Sequence, residues 1–113
     1  MRTHQNLDLR SLQLHQQVAA KIRANPALLN KAQAILANWR TTTSPHSVVY
    51  LDEWKRVMDS GLDVCLALAL DTGEHATAMR QSSPLACLLS NAERFEFLRQ
   101  WKLQQQESSH APD

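Results

Sequence analysis

Apolar and polar positions recur with a helical period almost from the start of this chain. Between residues 7 and 24, Leu12, His15, Val18, Ala19 and Ile22 fall on one face, and Arg10, Gln16, Lys21 and Arg23 lie outside it or flank it. That spacing predicts a first helix. Asn25-Pro26 then supplies an N-cap residue and a proline at the first helical position, where a missing N–H removes nothing. A second helix is expected to about Arg40, with Leu28, Ala32, Ile35, Leu36 and Trp39 in one stripe. So short a connection predicts antiparallel neighbours. TTTSPHS, residues 41–47, reads as a linker with capping hydroxyls. A third helix near 48–60 carries Leu51, Trp54, Val57 and Met58 on one face, and Gly61 suits its C-terminal cap.

The pattern then changes. LDVCLALAL, residues 62–70, is apolar almost all round, and periodicity cannot choose between strand and helix. Leucine and alanine outnumber β-branched residues, which favours a helix at the centre of the bundle. Thr72 is placed to cap a short helix over 73–80. Arg80 to Ser83 reads as a polar turn, and Pro84 opens a helical turn through Leu89. Ser90-Asn91-Ala92-Glu93 fits a capping box. The last helix, 91–105, sets Phe95, Leu98 and Trp101 in a stripe with Phe97 beside them, and 106–113 is a polar tail with little to bury. The expected fold is all-α: a single domain over 1–105, a compact bundle of five to seven helices around a buried helix near 62–70.

Composition narrows the function classes. The chain has 113 residues, 43% apolar and 20% charged, which suits one small domain with its own core. Glycine occurs only at 61 and 73, so neither a P-loop nor a dinucleotide fingerprint can be written. Cys65 and Cys87 stand in separate apolar runs with no CxxC, which predicts reduced thiols and no zinc. No cofactor is expected. MRTHQNLDLR lacks the apolar core of a signal peptide, and 62–70 is too short to span a bilayer. The expectation is a soluble cytoplasmic protein without a membrane partner. Charge is uneven: residues 1–47 hold six basic groups and one acid, whereas 48–79 hold six acids and two bases. The basic half offers Arg10, Lys21, Arg23 and Lys31 to a nucleic acid or an acidic partner.

Few constellations carry chemistry. Asp52 and Glu53 are adjacent in a helix and point roughly 100° apart, so they cannot share one substrate atom. Glu93 and Glu96 are i, i+3 neighbours, but capping accounts for Glu93. Five histidines, at 4, 15, 46, 75 and 110, include no i, i+4 pair. Arg40 and His46 are the best catalytic pair. Their spacing is similar to that of HEPN-superfamily ribonucleases, in which a guanidinium stabilises phosphate charge and an imidazole moves the proton. Arg10 and His15 have a similar spacing, which shows how little such a motif specifies. Residues 73–101 can be drawn as a helix-turn-helix, but the last helix presents aromatics and balanced charge rather than a base-reading face. Trp39, Trp54 and Trp101, one per helix, suit the core first. Trp39 and Trp101 also stand near helix ends, where a partner-binding edge uses tryptophan.

Two segments together resemble small bacterial antitoxins encoded beside toxin genes. In that pattern a Ser-Leu-x-Leu-His helix precedes an Asn/Asp-Pro-x-Leu helix ending in Trp-Arg, and an Arg-Gln-x-Ser-Pro turn precedes a Glu-Arg-rich helix. The matching positions are Ser11, Leu12, Leu14, His15, Asn25, Pro26, Leu28, Trp39 and Arg40, then Arg80, Gln81, Ser83, Pro84, Glu93 and Arg94. About half the chain carries the likeness. It implies a non-catalytic protein that binds and neutralises a co-encoded toxin. Contacts would lie on Arg80, Gln81, Ser82, Ser83 and Pro84, on Trp39 and Arg40, and on the basic face. Self-association is compatible with this reading. A ribonuclease using Arg40 and His46, and a small DNA-binding regulator, are the alternatives.

Overall fold

The computed structural model describes residues 4–109. Among them the structure is all-helical: α1 His4–Ala24, α2 Leu28–Thr42, α3 Pro45–Asp59, α4 Leu62–Leu70, α5 Glu74–Arg80, a 3-10 segment Pro84–Leu88, and α6 Asn91–Ser109. The packing is compact, as the patterning required. Among the described residues no helix is long and apolar enough to cross a membrane.

Helices α2 and α3 form the antiparallel hairpin of the fold. The α2 stripe buries Ala32 and Leu36 and half-buries Leu28, Ile35 and Trp39. The α3 stripe buries Leu51, Trp54 and Met58. The linker between them is shorter than the run of hydroxyls suggests. The Thr41 and Thr42 side chains donate back to the carbonyls of Asn38 and Trp39, which lets α2 run to Thr42. Ser44 then caps α3 by accepting from the Ser47 N–H at 3.3 Å, with Pro45 as its first residue. Across the hairpin, Arg40 pairs with Asp52 at 2.6 Å and Gln33 donates to Asp59 at 3.5 Å. Trp54 is fully buried, and its indole N–H donates to the Met79 carbonyl at 2.8 Å, tying α3 to α5.

The expected pairing of α1 with α2 does not form. Asn25 caps α2 with its carbonyl, not its side chain, and the helix starts at Leu28 after a Pro26-Ala27 turn. The 3-10 segment fits against both helices and takes the place each would have given the other, while α1 packs on α4 and α5. Ser83 holds that segment's first turn by accepting from the Leu85 N–H at 3.1 Å. Its Leu85 and Leu88 are buried in the same core as Val18, Ile22 and Leu36.

Gly61 joins α3 to α4 at φ 116° and ψ 168°, a region open essentially to glycine alone. The next helix is buried on one side only. Cys65, Leu66 and Ala69 face α1, α3 and α5, but Asp63, Val64 and Ala67 are exposed. An all-round apolar run is thus a surface helix with one greasy outer edge. Thr72 does not cap α5. No side chain caps that helix, and Asp71 holds only the turn before it, by accepting from the Gly73 N–H at 2.9 Å.

Helix α6 lies antiparallel against α1. Lys21, near the end of α1, donates to Glu93 at 2.6 Å and to the Leu88 carbonyl at 2.8 Å. The capping box forms as written: Glu93 accepts from the Ser90 N–H at 2.7 Å, and its own N–H donates to Ser90 Oγ at 3.1 Å. The buried positions of α6 are Phe97 and Trp101, whereas Phe95 is 71% exposed and Leu98 41% exposed. Two inward aromatics at i, i+4 displace the expected i, i+3, i+6 stripe. The helix continues through Ser109, into the region that composition assigned to a tail, and residues 110–113 lie outside the described residues.

Candidate functional site

The turn that the sequence offers as a contact edge is mostly interior. Arg80 is 5% exposed, and Ser83 and Pro84 are buried with it. Of the five residues only Gln81 is exposed, with Ser82 half-buried. The reason is the C-terminus of α4, whose last carbonyls have no partner within their own helix. Arg80 Nη1 donates to the carbonyls of Ala69 at 3.1 Å and Asp71 at 2.6 Å, and Nη2 donates to Thr77 Oγ1 at 3.2 Å. A cation at that end also complements the helix dipole. Burial pulls the guanidinium below the usual arginine range, and the charges of Asp8 and Asp71 oppose the shift.

His15 lies beside this polar knot, close enough for the Arg80 charge to act on its ring. It is buried on α1, with Nδ1 2.7 Å from the Ser11 carbonyl. That bond makes Nδ1 the protonated nitrogen of the neutral ring and Nε2 the acceptor. Burial lowers its pKa, the Ser11 carbonyl works against that, and the Arg80 charge lowers it further. His15 Nε2 and Arg80 Nε are both buried without a protein partner. Arg80 ties α5 to the end of α4, whereas the His15 bond stays within α1.

The other expected site residues scatter. Arg40 is exposed but committed to Asp52, and it lines grooves between α2 and α3 with Gln33, Lys55 and Asp59. His46 stands exposed in the first turn of α3 and lines neither groove. Trp39 is half-buried against the core. Lys21 leaves the basic face, because Glu93 and the Leu88 carbonyl hold it. Arg23 and Lys31 remain exposed. Glu53 on α3 pairs with His75 on α5, an exposed imidazole. Among the described residues, no group of three or more His, Cys, Asp or Glu side chains is placed to hold a metal ion. Burial pushes the Cys65 thiol up to about 11, and Cys87 is exposed.

Helices α1 and α6 form grooves as well. A groove of about 300 Å³ runs between α1 and α6, lined by Leu7, Arg10, Ser11 and Leu14 on one side and Arg94, Phe97 and Leu98 on the other. Arg94 Nη2 donates to the Ala86 carbonyl, and Arg10 makes no hydrogen bond or ion pair among the described residues. Leu7 and Leu98 stand 47% and 41% exposed on facing walls. Of this set, the sequence pattern points to Arg10 alone as a contact residue. A signal for the others was present. At 100° per residue, Leu7 and Leu14 point one way and Leu9 and Leu12 nearly the opposite way, so α1 carries apolar side chains for two surfaces.

Compared with known proteins, the chain matches no family model, no curated protein and no solved structure. The reading of its function therefore rests on its own residues.

Proposed function

We propose that this protein works by binding another protein, as an antitoxin that neutralises a toxin encoded beside it. The observation that carries the binding reading is the α1/α6 groove, with exposed leucines on both walls and arginines between them. Exposed leucines are unfavourably hydrated when left open and gain from a partner that covers them. The antitoxin assignment adds the resemblance of residues 11–40 and 79–101. The ribonuclease alternative has less support, because Arg40 is held by Asp52 and no groove brings His46 to it.

The test is growth. This chain is expressed with and without each flanking gene. A neighbour that stops growth, is rescued by this chain, and co-purifies with it as a stable complex supports the proposal. Neighbours that are neither toxic nor bound remove it. If instead the chain itself slows growth, RNA cleavage lost in His46→Ala would move the assignment to the ribonuclease.

A further inference from the structure

We infer that the α1/α6 groove seats an amphipathic helix whose apolar positions are flanked by carboxylates. This rests on the binding reading above and specifies the chemistry of the partner. Leu7 and Leu14 are seven residues apart on α1, which places them about 10.5 Å apart along the axis. Anchors at i, i+3 and i+7 of an incoming helix cover the same span, and two antiparallel helices present the furrow into which such a helix lies. Phe97, buried at the base, and Leu98, open at the rim, give the anchors an apolar surface to cover.

Charge selects the flanks. Arg10 and Arg94 line the groove, and no carboxylate lines it with them. The nearby acids of α6 are already used: Glu93 is held by Lys21, and Glu96 by Arg99 at 2.6 Å. A helix bringing Asp or Glu alongside its leucines meets the unpaired Arg10 guanidinium and the positive charge of Arg94, and one bringing Lys or Arg meets like charge. The same rule argues against a second copy docking its α6, because the open face around Phe95 and Leu98 also carries Lys102, while Arg99 and Glu96 are paired with each other. Nucleic acid fits less well, since it needs a track of cations along its phosphates, and here two arginines stand among leucines and a phenylalanine.

Two synthetic helical peptides test this on the full chain. Both carry leucines at i, i+3 and i+7, one with glutamates flanking them and the other with lysines. The glutamate peptide is expected to shift amide resonances within 7–14 and 94–98 of the isotope-labelled protein, and to bind less well as salt rises. Arg10→Glu and Leu98→Asp, both at solvent-accessible positions, each weaken it by roughly tenfold or more. The lysine peptide does not bind. Failure of the glutamate peptide, equal binding of the two, or resonances moving elsewhere overturns the inference. So does a DNA duplex that shifts the same residues and is indifferent to Leu98→Asp, which would assign the cations to nucleic acid. The growth assay separates the two proposals. Loss of rescue by folded Arg10→Glu and Leu98→Asp places the toxin in the groove. Retained rescue removes the groove and leaves the antitoxin. With no toxic neighbour the antitoxin reading goes, and the peptides alone decide the groove.

Discussion

Around α5 the Arg80 guanidinium is buried and directs its N–H groups at the carbonyls that end α4, whereas in the α1/α6 groove Arg10 stands beside open leucines with no partner among the described residues. The difference lies in what the nearest backbone needs. The last carbonyls of the nine-residue α4 have no partner within their helix, and an arginine nine residues beyond Asp71 meets that need. The exposed face of α1 makes no such demand, so its arginine stays free. A polar side chain is available to a partner only when its own fold has no use for its donors.

The strongest test of that contrast is Arg80→Ala. It strips the Ala69 and Asp71 carbonyls and the Thr77 hydroxyl of their donor, and it should cost about 3 kcal/mol in urea unfolding. Arg80→Lys should recover only part, because one ammonium lacks the guanidinium fork. A loss under about 1 kcal/mol for Arg80→Ala would show that the knot is not a structural centre. The next effect is in pH. The folded-state pKa of His15 lies below its ordinary 6.5, so the unfolded chain binds the proton more readily. Stability should therefore fall as pH drops below about 6.5, by at most about 1.4 kcal/mol per pH unit. His15→Gln should flatten that slope, and an unchanged slope would place the proton uptake elsewhere.

At the start of α6 the effects are smaller. Ser90→Ala removes one half of the capping box and should cost about 1 kcal/mol, read as a lower unfolding midpoint. Glu93 titrates in a separate window. The Lys21 ammonium and the Ser90 N–H hold it down to about 2, from an ordinary 4.5. Its contribution is present above about 4.5 and is lost as pH falls towards 2. Glu93→Gln should flatten the acid limb there without touching the His15 window. Some slope persists, because Arg99 holds Glu96 at about 2 as well. Smallest of all is Arg10→Ala, expected to change stability by less than about 0.5 kcal/mol. A large loss would mean that Arg10 is structural and the contrast with Arg80 false.

These regions also differ in how far the sequence revealed them. Local and periodic features were legible. The α2 stripe, the inward side of α3 with Trp54, the Ser90–Glu93 box and the place of His15 on the apolar face of α1 each depend on residues within a few turns. What escaped depends on distant partners. Nothing near Arg80 says that α4 ends beside it. The 62–70 run looked central because every side chain suits a core, but a helix packed on α1, α3 and α5 still leaves Val64 outside. Phe95 and Phe97 are equally apolar, and only the position of α1 decides which turns in. The candidate surface was the least legible part, because a groove belongs to two helices that lie far apart in the chain.

The 3-10 segment has a consequence for how the protein is made. It fits against both α1 and α2, yet five helices leave the ribosome before it does. The α2–α3 hairpin is local and can form as soon as it is synthesised. The faces of α1 and α2 that this segment covers must wait in water, open to chaperones and proteases. A chain cut short by a stop codon just before Pro84 keeps five of its helices but loses the wedge that joins them. Such a fragment is a client for degradation rather than a smaller working protein. Completion of folding is thereby coupled to completion of translation.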